Sequence, residues 1–131
     1  MVMSAKDWEL YLDENVLVAN FSEGMPSDGD EYAKVNARFE ELAKQDGATA
    51  HLSLLNMSSS LNKDVFEKAR EAAEVGSEYG ITKWAIVSDG IKSMALSSQV
   101  RDVPGVDVMT ANNVEEALEW AKQEQVGIFN T

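Results

Sequence analysis

Between Ala48 and Ser88 two short apolar runs bracket one amphipathic helix, and few folds accept that pattern. Ala50 to Leu55 reads as a buried strand, Lys63 to Tyr79 as a long helix, and Thr82 to Val87 as a second buried strand. Units of this kind pair their strands in parallel through a right-handed crossover. The rest of the chain is therefore layered around that unit.

Ahead of it, Trp8, Leu10 and Leu12 alternate with Glu9, Tyr11 and Asp13, the period of a half-buried strand. Asp13-Glu14-Asn15 is a compact polar turn, and Val16 to Phe21 is a second strand, so the two predict a hairpin. Ser22 to Gly29 holds Gly24, Pro26 and Gly29 and reads as a loop. Tyr32, Val35, Phe39 and Leu42 recur at helical spacing over Asp30 to Lys44, with Gly47 as a stop.

In the helix from Lys63, Phe66, Ala69, Ala73 and Gly76 define a face of mostly small residues, expected to lie close to a sheet. Asn62 is its expected N-cap and Gly80 its stop. After the run Trp84 to Val87, Asp89-Gly90 turns the chain into a third helix with Ile91, Met94 and Ala95 expected inward. Val106 to Met109 is a short strand, and its Asp107 points to a sheet edge. Asn113 and Glu116 form a capping box ahead of a last helix whose core face is Val114, Ala117, Leu118 and Ala121. Val126, Ile128 and Phe129 are expected to pack down. The predicted order is β-β-α-β-α-β-α-β-α: a single α/β domain over residues 1–131 with one mixed, mostly parallel sheet and helices packed on it.

Composition narrows the function. Lys and Arg number 11 against 23 Asp and Glu, a formal net charge of -12. Such a field repels nucleic-acid phosphates and anionic membrane surfaces, so neither is an expected partner. Adaptation to high salt is one expected cause, which equal stability in low and molar salt would rule out. With no cysteine, thiolate chemistry and disulfides are excluded. No run approaches the ~20 apolar residues of a membrane span, and the first residues lack a signal-like apolar core. A cytoplasmic location is the expectation.

Three features carry a family resemblance. Leu54-Leu55-Asn56 closes a buried strand and leads into a serine-rich helix start. Trp84-Ala85-Ile86-Val87-Ser88-Asp89 combines a buried strand with an acidic turn. Val114-Glu115-Glu116-Ala117-Leu118-Glu119-Trp120 forms the closing helix. Together with the element order they resemble the STAS superfamily, and within it the SpoIIAA-like proteins. The resemblance implies a non-enzymatic regulatory module that binds a protein partner. It also implies a phosphorylatable serine at the start of the second helix, where Ser58, Ser59 and Ser60 stand. The family's switch reads Asp-Ser-Ser/Thr-Gly, whereas this chain has Asn56-Met57 before the serines and Leu61 after them.

On the residues alone, two readings of the serines stand together. A phosphate there would meet the free amides and dipole of a helix N-terminus. Serines also sit at helix starts simply because they cap those amides. The surface expected to meet a partner is Asn56, Met57, Asn62 and Lys63 with the neighbouring Asp89 and Gly90. A homodimer through the hairpin edge or a helix face is a further expectation.

No cofactor or metal is expected. His51 is the sole histidine and reads as a strand residue with a local hydrogen bond. Asp28-Gly29-Asp30-Glu31 lacks the ligand spacing of a calcium loop. Glu115, Glu116 and Glu119 read as a solvated helix face. Nucleotide-binding glycine motifs and activated-nucleophile motifs are absent. The alternative function is a small-molecule carrier that binds an apolar or anionic ligand beside the second helix, an anion at its serine-bearing start or a ligand in a pocket between the sheet and the face bearing Ala69, Ala73 and Gly76. Met25, Met57, Met94 and Met109 are candidate pocket residues in that case.

Overall fold

A computed structural model of the chain describes residues 2–4, 7–25, 29–57, 63–88 and 90–123. Its elements run β1 (Val2–Ser4), β2 (Trp8–Asp13), β3 (Val16–Phe21), α1 (Gly29–Asp46), β4 (Ala50–Leu55), α2 (Lys63–Glu78), β5 (Lys83–Val87), α3 (Gly90–Arg101), β6 (Asp107–Ala111) and α4 (Val114–Lys122). The expected α/β order is present, with β1 added at its start.

All six strands form one sheet in the order β1-β2-β3-β4-β5-β6. The first three pair antiparallel, and β3 through β6 pair parallel. β6 lies at one end of the sheet, as its Asp107 predicts; that side chain is exposed.

Strand alternation gives the sheet two apolar faces. Leu17, Ala19 and Phe21 of β3 point with Trp84 and Ile86 of β5 into the larger core, shared with Tyr32, Val35, Phe39 and Leu42 of α1. Val16, Val18, Leu52 and Ala85 point the other way, onto Ala117 and Ala121 of α4. Burying a Leu or Phe in either layer stabilises the fold by about 1.5–3 kcal/mol.

Local signals mostly hold. Gly47 and Gly80 end their helices with φ of 65° and 102°, a conformation only glycine adopts cheaply. Asn113 caps α4 by accepting the Glu116 amide at 2.8 Å. The helix phases differ in two places. Met94 is 74% exposed, and α3 instead turns Lys92, Ser93, Leu96, Ser97 and Val100 inward. Val114 is 41% exposed, because α4 rests on the sheet through the small residues Ala117 and Ala121. The expected N-cap Asn62 and the apolar residues Val126, Ile128 and Phe129 lie outside the described residues.

The main difference concerns α2. Its small-residue face does not bring it down onto the strands. The helix makes its close backbone approaches to α1 and α3 and few to the sheet. Gly76 receives the Phe39 ring and Ile81 instead, whose carbons lie 3.3 Å from where a Cβ would stand. Ala69 and Ala72 of α2 line a space between the helix and the sheet.

Candidate functional site

That space is a partly open cavity of about 50 Å³ bounded by α1, α2, α3 and the faces of β3, β4 and β5. A single water needs roughly 10–15 Å³ of such volume, so the cavity exceeds a packing defect. Phe21, Val35, Phe39, Val65, Trp84 and Leu96 are among the residues that line it. Asn36 and Ala72 line both this cavity and an outer groove between α1 and α2. The Asn36 side chain donates to the Lys68 carbonyl at 3.0 Å, tying α1 to α2.

Four polar side chains, Tyr32, Asn36, His51 and Ser53, reach this apolar lining. His51 and Ser53 lie two residues apart on β4, so alternation puts both on the same face. His51 Nδ1 lies 2.8 Å from the Leu17 carbonyl on the paired strand. A carbonyl only accepts, so Nδ1 carries the hydrogen and Nε2 is left to accept. The Ser53 hydroxyl donates to it at 2.7 Å. The ring also lies tilted against Trp84, centroids 4.1 Å apart, and meets Phe39 edge-on at 5.2 Å.

Burial lowers the imidazole pKa to about 3, against the opposing effect of the bond to Leu17. The pair has the outline of a serine–histidine dyad. Its third member is a backbone carbonyl, however, and a carboxylate would be needed to stabilise an imidazolium in this setting. His51 is thus held neutral.

Tyr32 is different. Its side chain is 6% exposed, and its hydroxyl is the one buried side-chain polar atom among the described residues with no hydrogen-bond partner. Burial pushes its phenol pKa up, so the hydroxyl keeps its proton. An unpaired buried hydroxyl costs about 1–3 kcal/mol. Tyr32 entered the sequence reading only as a core residue on a helical stripe. No one-dimensional pattern reveals an unmatched hydroxyl.

The expected surface is only partly in view. Ser58, Ser59, Ser60, Asn62 and Asp89 lie outside the described residues. Asn56 is exposed and donates to Asn20 Oδ1 at 2.7 Å. Lys63 is exposed at the first position of α2, and Gly90 opens α3. Met57 is buried in the larger core, so its side chain offers no surface to a partner. None of Met25, Met57, Met94 and Met109 lines the cavity. Among the described residues no helix is long and apolar enough to cross a membrane, and no three His, Cys, Asp or Glu side chains converge as metal ligands.

No protein-family model matches the chain, and comparison with curated proteins finds no match.

Proposed function

We propose that this domain is a non-catalytic binding module that holds a small, largely apolar molecule between α2 and the sheet. The observation that carries the reading is the cavity itself, lined mainly by apolar side chains with Asn36, His51 and Ser53 among them. Ligand sites characteristically combine an apolar lining with a few polar groups that fix orientation. The neutral His51–Ser53 pair supports binding over catalysis, because a base held protonated only near pH 3 is far from the operating range of general-base chemistry.

Native mass spectrometry of the protein purified gently from its own source tests this. The expected result is a small non-covalent adduct that leaves on activation and is missing from Ala72→Leu, which fills the cavity. A bare mass for the native protein under conditions that keep weak complexes intact would overturn the reading.

A second reading is the regulatory interaction module that the STAS-like resemblance implies, with a protein partner or a second copy of the chain and a cytoplasmic, high-salt setting. The element order supports it: β2 to α4 follow the sequence of elements that the resemblance implies. The same spectra distinguish it, since added phosphate mapping to Ser58, Ser59 or Ser60 would favour the switch.

A further inference from the structure

Two exposed alanines interrupt the charged surface of α1. Ala33 and Ala37 stand one turn apart, so they share a helix face, and both line the groove between α1 and α2 along with Ala72 and Val75. Helix axes come closest where the contacting side chains are small, so this face admits a second helix.

The charges beside the alanines decide which helix fits. Asp30 and Lys34 precede Ala37, and Glu41 and Lys44 follow it at closely matched distances along the chain. A second α1 laid antiparallel across a twofold axis at Ala37 therefore sets Lys34 of each copy against Glu41 of the other. It also sets Asp30 of each against Lys44 of the other. Sliding the second helix one turn in one direction puts Asp30 against Glu41, and in the other direction Lys34 against Lys44. A parallel pair puts like against like throughout. The present ion pairs join near neighbours on α1: Lys34 with Glu31 at 3.3 Å, Arg38 with Glu41 at 3.0 Å and Lys44 with Glu40 at 3.4 Å. Exposed pairs of this kind contribute little, so exchanging them for pairs across an interface costs little.

We infer that α1 is the interface through which two copies of this chain associate, antiparallel about Ala37, with each α1 resting along the α1–α2 groove of the other copy. Such pairing does not depend on what the cavity holds. The net charge of -12 on each copy opposes association at long range. At about 0.15 M salt, charges farther apart than ~8 Å are largely screened, and the short-range pairs dominate.

Sedimentation equilibrium at that ionic strength tests the interface with the native chain, Lys34→Glu, Glu41→Lys and an equimolar mixture of the two variants. Both positions lie on the outer surface of α1, so the fold is retained, and circular dichroism checks it. The native chain should form a dimer, and each variant alone should dimerise at least tenfold more weakly, because each sets like charges together at both ends of the contact. The mixture should recover a heterodimer, because each substituted position then faces the opposite charge on the other variant. A general charge effect predicts otherwise: Lys34→Glu makes the chain more negative and Glu41→Lys less so, and the two would move in opposite directions. A native chain still monomeric at about 1 mM would overturn the second copy as the occupant of this face. A variant that dimerises as tightly as the native chain, or a mixture that does not recover, would overturn the antiparallel pairing about Ala37.

Discussion

The Ser53 hydroxyl lies 2.7 Å from His51 Nε2, two residues away on the same strand and on the same face of the sheet. The contact locks the imidazole in one tautomer and uses up the only titratable group on the strand. It also removes two polar groups from the list of those a ligand must satisfy.

The histidine makes stability depend on pH in a defined window. Unfolded, an imidazole titrates near ~6.5; folded, burial lowers it to about 3. Above ~6.5 both states are neutral and its contribution is fully present. As pH falls from there toward 3, the unfolded chain takes up a proton that the folded one refuses, and stability is lost. Between about pH 7.5 and about pH 5 the loss should be about 2 kcal/mol by urea denaturation. His51→Gln should lack that slope, and an equal slope in the variant would assign it to other groups.

Gly76 is a second point of control. A Cβ there meets Phe39 and Ile81 at 3.3 Å, and both side chains are buried. In Gly76→Ala the helix-propensity gain of ~1 kcal/mol roughly offsets the crowding. Gly76→Val leaves no room for relief and should cost about 2–3 kcal/mol in thermal or denaturant unfolding. A Val variant as stable as the Ala variant would show that Phe39 is free to shift.

Lys83 clamps the last helix. Its ammonium reaches the Trp120 and Gln123 carbonyls at 3.0 and 2.7 Å, at the negative end of α4, and lies 5.1 Å from the Trp120 ring centroid. Lys83→Met should cost about 2 kcal/mol and speed amide exchange in α4 more than in α1. Unchanged α4 protection would show that Ala117 and Ala121 packing alone holds the helix.

Much of this architecture was legible in the residues. Alternation in Trp8 to Asp13, the stripe Tyr32-Val35-Phe39-Leu42 and the cap at Asn113 each report on their own element, and each is found in place. The height of α2 above the sheet was not legible. A row of Ala and Gly is equally consistent with close packing and with a void, and the close backbone approaches of α2 are to α1 and α3. The phase of α3 was missed for a related reason. Its apolar residues are sparse, and Met94 turns outward while Lys92 and Ser93 turn in. The candidate site depends on distances between α1 and β4, elements set by separate stretches of chain. His51 was correctly read as a strand histidine with a local bond, and Tyr32 gave no sign of its unmatched hydroxyl.

The most direct test of a fillable space beneath α2 is xenon binding, followed on methyl resonances. Val35, Val65 and Leu96 border the cavity, while Val16, Val18 and Leu52 lie on the far face under α4 and serve as the internal control. Under xenon pressure the first set should shift saturably and the second should stay still. Equal shifts in both sets, or none in the first, would contradict the account.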